Sequence, residues 1–366
     1  MNPRVETIND KNGNLTFKLS GVNVSIANSL RRISTEIPSV VIRTTPYERN
    51  NAKFEENTTR MNNELIKQRL SCIPIYADAS TFEFKKYILV INKQNHSTNI
   101  EYVTTADFKI MNIETKEYDT QLASKLFPPN SITGDYPELV RLLPKVSDDI
   151  DGEQLILTCT FDIGTTKEDS SFNISSTFVY SNSLDQAKIK SAWVEKKTEL
   201  SKTLQPDELS FAEKDWHLLE AKRHFIPDSF DFKVETVGQY DNRNIVYRSA
   251  ILMINKCEQI KDTIQSEQNI ITTSETSIPN SFDILLKNED YTLGKALEFA
   301  LYNSHYNKTL SFCGFRKPHP HIDECIIRLG FKNPTDKVTV VSYIVNAADE
   351  LIKVYNSISK VFEVNK

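Results

Sequence analysis

A chain of 366 residues, 39% of them hydrophobic, carries enough apolar material for a core in each of two or three modules. No apolar run approaches the roughly 18 residues of a membrane span, and the opening MNPRVETINDKNGN lacks the charged-then-apolar order of a signal peptide, so a soluble protein of the cytosol or nucleus is expected. A formal charge of −5 argues against a large phosphate-binding surface, because nucleic-acid affinity comes mainly from Lys and Arg displacing counterions. The five cysteines include no CxxC pair, which sets aside a disulfide framework and a four-cysteine zinc site.

The first strong element is NVSIANSLRRISTEIPS, residues 23–39. Ile26, Leu30, Ile33 and Ile37 fall at i, i+4, i+7 and i+11, one stripe of a helix of about three turns. Ser25 is placed to cap its start and Pro38 to end it. Next comes a long stretch with strand-like runs at 82–91, 100–104, 155–161 and 176–180, then the charged run SLDQAKIKSAWVEKKTEL. It reads as an inserted, mainly β domain with a helical tail. Within it the acidic run SDDIDGEQ, residues 147–154, reads as a hairpin turn with positive φ at Gly152, against the alternative of a magnesium or calcium site.

DFKVETVGQY then reads as a strand ending near Gly238, followed by a helix carrying Tyr247, Ile251, Ile254, Cys257, Ile260 and Ile264. After a polar linker the helical stripe of residues 23–39 returns. Shifted by 267 positions, Thr292, Leu293, Gly294, Ala296, Leu297 and Ala300 fall opposite Ser25, Ile26, Ala27, Ser29, Leu30 and Ile33. Ala27 and Gly294 are small enough for another backbone to approach closely. Spacing by itself leaves open two unrelated amphipathic helices. The strand CIIRLGF follows, then a helix in which Val341, Ile344, Ala348, Leu351, Tyr355, Ile358 and Phe362 recur at three- and four-residue steps. At 1.5 Å per residue that helix is about 40 Å long and cannot hide its stripe within its own small module.

The simplest burial packs the two modules on each other about a pseudo-twofold axis. The expected fold class is α+β: two dimerisation units of short helix, strands and long helix, paired within one chain. Residues 1–47 with 228–266 form the first, interrupted by the insertion 48–227. Residues 267–280 are the linker and residues 281–366 the second unit.

The stretch FEENTTRMNNELIKQRLSCIPIY, residues 54–76, resembles the third-largest subunit of eukaryotic RNA polymerase II and its archaeal and alpha-subunit relatives. Asn57, Thr58, Thr59, Asn62, Glu64, Arg69, Leu70, Ile73 and Pro74 carry the shared frame, with the run from Ala27 to Ile33 upstream and VTTADF and FKVETVG downstream. In the second module, Asp290-Tyr291-Thr292-Leu293-Gly294 and Gly314-Phe315-Arg316-Lys317-Pro318-His319-Pro320 resemble the helix opening and the G-Y-x-x-P-H-P corner of the eleventh subunit. A fusion of the two looks like the arrangement in some large DNA viruses. The family's G-x-x-H-A-K-W-like signature is absent, its place reading GTTKEDSSF from Gly164 to Phe172.

The resemblance implies a non-catalytic scaffold that pairs its halves through Ile26, Ala27, Leu30, Ile33 and Ile37 against Leu293, Gly294, Leu297 and Ala300, with Leu351, Tyr355 and Ile358 of the last helix. It implies docking of the largest and second-largest polymerase subunits, and of small subunits, with Arg31, Arg32, Asn57, Glu64, Arg69 and Pro74 on the docking face. From position alone, Arg31 and Arg32 fit a solvated face instead. It implies no cofactor, little direct nucleic-acid contact, no membrane, and a location in viral factory and virion if viral, otherwise the nucleus.

Two other readings are carried beside it. One is a free-standing dimeric interaction module. The other is a metalloenzyme in which His319, His321 and Cys325, on one strand face by alternation, hold zinc. Against the metal, Pro318 and Pro320 fix two φ angles and remove two ladder donors, which suits a structural corner at Pro318, His319 and Pro320.

Overall fold

The computed structural model describes residues 1–147, 150–274 and 276–363, so Asp148 and Asp149 of the acidic run and Glu275 of the linker lie outside the described residues. The chain divides into two compact units, one of Met1–Ser34, Thr177–Glu235 and Asn242–Lys366, the other of Thr35–Ser176 and Thr236–Asp241.

The chain begins with the hairpin β1 (Arg4–Lys11) and β2 (Asn14–Ser20), turned through Asn12 and Gly13, both at positive φ. It then enters α1 (Val24–Ile33), whose Ile26, Ala27, Leu30 and Ile33 are fully buried. The cap is Asn23, not Ser25: the Asn23 side chain accepts from the Ser25 amide, since a cap must stand just outside the first turn to reach its free N–H groups. The α-helix also stops a turn earlier than the stripe suggests. Ser34–Glu36 tighten into a 3-10 turn, and Ile37 is buried beyond the helix.

The second unit holds β3 (Ser39–Val41), β4 (Ala52–Asn57), α2 (Asn63–Cys72), β5 (Tyr87–Gln94), β6 (Glu101–Thr104), β7 (Lys109–Asn112), α3 (Thr120–Leu126), β8 (Glu138–Leu142), β9 (Gln154–Thr160) and β10 (Asp162–Gly164). Its main sheet is antiparallel in the order β4-β9-β5-β7, beside the two-stranded ladders β6-β8 and β10-β3. Leu89 and Ile91 of β5 and Leu155, Leu157 and Cys159 of β9 alternate into one core, which Ile66 and Leu70 of α2 share. Gly152 does not take the positive φ expected of a tight turn. It is a glycine because an added Cβ would lie 2.5 Å from the Asn95 carbonyl oxygen and 2.6 Å from that of Leu143.

The first unit resumes with β11 (Ser175–Leu184), α4 (Gln186–Leu200), α5 (Pro206–Leu218), β12 (Phe225–Thr236) and α6 (Asn242–Ser266). There follow β13 (Ile271–Thr273), β14 (Ser281–Lys287), α7 (Tyr291–His305), β15 (Leu310–Arg316), β16 (Glu324–Phe331) and α8 (Lys337–Phe362). The two sheets of this unit have the orders β1-β2-β12-β11 and β13-β14-β16-β15. Substituting β13, β14, α7, β15, β16 and α8 for β1, β2, α1, β11, β12 and α6 converts one order into the other. The internal repeat is therefore a repeat of whole topology.

That equivalence moves the boundaries expected from sequence. β11 belongs to the first repeat's sheet, so the inserted unit closes near residue 176 rather than 227, and it opens at 35 rather than 48. The helical tail, α4 and α5, falls in the first unit between β11 and β12, where the second repeat carries only the Pro318–Pro320 corner. The linker is also shorter than its polar composition indicates. β13 pairs with β14 through Ile271–Ile284, Thr272–Asp283 and Thr273–Phe282, with Ile271 buried and Thr272 and Thr273 exposed.

Candidate functional site

The two repeats meet through their helices. α6 runs beside α8, and α1 packs on α7. Along α6 the buried face is Ile245, Val246, Ser249, Ala250, Met253, Ile254, Cys257, Ile260 and Ile264, whereas Tyr247 and Ile251, expected on the stripe, stay half-buried beside it. On α8 the buried face includes Ile344, Ala348, Leu351, Tyr355, Ile358 and Phe362. Leu293, Gly294, Leu297 and Ala300 of α7 are buried as well. The far end of α8 reaches the first repeat's sheet: the Phe362 ring sits edge-on to Phe17 of β2 at 4.8 Å, and Phe17 stacks on Phe232 of β12 at 4.8 Å. Lys261 of α6 bonds Asp349 of α8 at 2.5 Å.

Polar bonds fix the register of this apolar contact. Tyr355, fully buried, lies 2.6 Å from the Ser29 hydroxyl, and Ser29 Oγ donates to the Ile26 carbonyl at 2.7 Å. With the single Ser29 proton so used, the phenol is the donor between them. Burial raises the Tyr355 pKa, only partly opposed by the Ser29 bond, so the phenol stays protonated. The cap of α7 is Asp290, which accepts from the Thr292 amide at 2.7 Å, as Asn23 accepts from the Ser25 amide in α1. Arg32 of α1 reaches across to this cap, its Nη2 2.9 Å from Asp290 Oδ2 and its Nε 3.1 Å from Thr292 Oγ1.

Gly294 serves a side chain rather than a backbone. An added Cβ would lie 2.0 Å from the Phe315 ring, which rests on the helix there and meets Tyr291 at 5.2 Å. Sequence spacing shows a small residue but not what occupies the space it leaves.

The residues named for docking are placed as follows. Arg31, half-buried, folds back on Asn28 Oδ1 at 3.1 and 3.0 Å. Asn57 is structural: its amide donates to the Met61 carbonyl at 2.9 Å and to Asn63 Oδ1 at 2.7 Å, shaping the turn that opens α2. Glu64 is exposed in the first turn of α2, Arg69 is half-buried in its last, and Pro74 follows half-buried. Glu64 also lines a cavity of about 670 Å³ with Tyr47, Lys67, Asp169 and Gln239. There Tyr47 is 82% exposed, and Gln239 Oε1 is buried without a hydrogen-bond partner.

A cluster centred on Arg43 escaped the sequence reading. Its side chain is buried, bonded to Asp162 at 2.5 Å and Glu168 at 3.0 Å, with the guanidinium 4.7 Å above the Phe172 ring. Burial opposes its charge, but the bonds to Glu168 and Asp162 outweigh that and raise its pKa. These partners stand in and around the stretch from Gly164 to Phe172 that replaces the family signature. Gly164 lets Phe172 and Arg43 close on the backbone, since a Cβ would lie 2.8 Å from the ring and 2.9 Å from Arg43 Nη2. The only sequence signal was a lone Arg in an apolar run, which does not say where its carboxylates are.

The histidines lie at an exposed turn between β15 and β16, where His319 Nδ1 accepts from the His321 amide at 3.1 Å and the two rings meet edge-on at 5.1 Å. Cys325 is buried within β16, and burial pushes its thiol up to about 12. No group of three His, Cys, Asp or Glu side chains arranged to hold a metal occurs among the described residues. The zinc reading has no support in this geometry.

Residues 16–257 match a family model described as the RNA polymerase Rpb3/Rpb11 dimerisation domain, and residues 281–361 match a second model of the same description. The chain is 22% identical over 285 residues to DNA-directed RNA polymerase subunit Rpo3 of Pyrococcus horikoshii, covering 72% of this chain and 98% of that one. It is 34% identical over 77 residues to DNA-directed RNA polymerase II subunit rpb3 of Dictyostelium discoideum, 21% of this chain and 23% of that protein. Over 85 residues it is 31% identical to the DNA-directed RNA polymerases I and III subunit RPAC1 of Homo sapiens, 23% of this chain and 22% of that one.

Proposed function

We propose, from the premise that this chain belongs to the RNA polymerase Rpb3/Rpb11 dimerisation-domain family, that it is a non-catalytic assembly subunit of a DNA-directed RNA polymerase. It unites in one polypeptide two units of the type whose family description is dimerisation. The observation that carries the reading is the packing of α1 on α7 and α6 on α8, which fills within one chain the surface each repeat would otherwise offer a separate partner. Nucleotide transfer then belongs to the large subunits, and this chain positions them.

The finer assignments rest on this reading. The largest and second-largest polymerase subunits dock on the outer face of the paired helices through Arg31 and the exposed part of Arg32, whose side chain is 36% accessible even with its Asp290 bond made. The face of the inserted unit around Glu64, Arg69 and Pro74 belongs to the same large-subunit docking surface. A fused chain of this kind suits a large DNA virus, with the protein in viral factories and virions. Outside a virus the same reading places it in the nucleus.

Affinity purification of the tagged full chain, with identification of the co-purifying chains, tests the reading. Two large polymerase subunits are expected in stoichiometric amount, and Leu30→Glu or Leu297→Glu, which put a carboxylate into the helix contact, are expected to abolish their recovery. Purification of the chain with no large polymerase subunit would refute the assignment and leave a free-standing interaction module.

A further inference from the structure

The polymerase reading says that the halves pair; it does not say what makes unlike halves pair. Going beyond that reading, and resting only on the geometry of α1, α7 and α8, we propose that Arg32, Asp290 and Thr292, with Ser29 and Tyr355, form a pairing code. Through it each repeat selects the other repeat and rejects a second copy of itself.

The argument comes from the 267-residue shift. It maps the cap Asn23 onto Asp290, Ser25 onto Thr292, Ser29 onto Ala296 and Arg32 onto Phe299. At one end of the pseudo-twofold, Arg32 bonds Asp290 at 2.9 Å and Thr292 at 3.1 Å. At the equivalent end, Phe299 stands with Asn23, Val24 and Ser25 around an open cavity of about 410 Å³, and Ser25 Oγ is buried with no hydrogen-bond partner. The sequence has thus set a cation against a carboxylate at one end and an aromatic ring against a neutral amide cap at the other, where the charges beside the cavity, Lys295 and Glu298, pair with each other within α7.

The consequences differ for each wrong pairing. Two first repeats paired together would set Arg32 against the neutral Asn23 cap twice, and no ion pair would form. Two second repeats would set Phe299 against Asp290 twice, so that neither carboxylate would have the bond that Arg32 makes to it. They would also turn each buried Tyr355 hydroxyl toward Ala296, which has no hydroxyl to accept from it. Only the unlike pairing meets Arg32 with Asp290 and Tyr355 with Ser29. Tethering gives intrachain pairing an effective concentration in the millimolar range, so the code matters most where many copies crowd before assembly.

The test uses the full chain in two forms, one isotopically heavy, each with its own affinity tag, mixed during refolding at about 100 µM. Recovery of one form through the other's tag measures cross-chain pairing, and heavy-to-light cross-links between two α1 segments report like-with-like pairing. Arg32→Glu sets a carboxylate against Asp290, and α1-to-α1 cross-links should rise about tenfold over the parent chain. Adding Asp290→Asn, which keeps a capping side chain without its charge, removes the repulsion without restoring the ion pair, so cross-links should fall back to the severalfold rise expected of Asp290→Asn alone. Arg32→Glu with parent-like cross-linking, or no fall on adding Asp290→Asn, would overturn the proposal. If Arg32→Glu does not fold, Asp290→Asn alone carries the test: a severalfold rise supports the code, and no change defeats it.

Discussion

Ser29→Ala and Tyr355→Phe remove the two ends of one bond yet are expected to differ in cost. Tyr355 is fully buried, and its hydroxyl donates to Ser29 Oγ at 2.6 Å. Ser29→Ala therefore leaves a phenol buried without an acceptor, a penalty of about 1–3 kcal/mol. Tyr355→Phe removes the donor itself, and Ser29 keeps its bond to the Ile26 carbonyl at 2.7 Å, so the loss should be about 0.5–1.5 kcal/mol. In the double variant the phenol no longer needs a partner, and its stability should lie close to that of Tyr355→Phe alone. The expected coupling is about 1 kcal/mol or more. Urea unfolding followed by tryptophan fluorescence suits the measurement, because Trp193 and Trp216, 5.3 Å apart, lie in the same compact unit as this bond. Additive costs, or a Ser29→Ala variant as stable as the parent, would show that the hydroxyl pair does not contribute as argued.

Three further outcomes are expected. Leu30→Ala or Leu297→Ala, each removing a fully buried side chain from the helix contact, should cost about 2–5 kcal/mol in the same unfolding assay. Gly294→Ala should destabilise by about 1–3 kcal/mol even though alanine favours helix, since its methyl meets the Phe315 ring; combining it with Phe315→Leu should recover much of the loss, and an indifferent Gly294→Ala would refute the fit. Asp336 caps α8, and bonds from the Thr339 hydroxyl and amide hold its carboxyl below the usual carboxylate range. A depressed folded pKa gives stability present above the ordinary value of about 3.9 and lost as pH falls through the folded pKa, so this contribution should fade on acidification below about pH 4, and Asp336→Asn should lose less stability than the parent over that range. Matched pH-dependent unfolding curves for the two would remove the cap from the account.

The repeat was legible because two helices with matched stripes and matched caps need the same residue types at the same steps. Local rules placed the long last helix, which runs from Lys337 to Phe362, and the strand that ends before Gly238. They erred where two local options compete. Ser25 and Asn23 both cap helices well, and only the chain's path decided for Asn23. Gly152 carried the mark of a turn, but close backbone approach is what requires it. The boundary at 176 was hidden because β11 looks like any other strand until its partner, β12, is known. Arg43 was hidden for the same reason, as Asp162 and Glu168 lie more than a hundred residues away along the chain.

The sequence by itself determined that two amphipathic modules are written in tandem and that each has an apolar stripe too long for its own module to cover. Periodicity records how much surface must leave water, and that demand is local. Which surfaces satisfy it depends on long-range geometry: Arg32 could equally have faced solvent, and the tertiary structure turned it onto the cap of α7. Hydrophobic burial is non-directional and tolerates many partners, whereas a charged fork and a buried phenol have direction, so the choice among partners became visible only once the helices were packed.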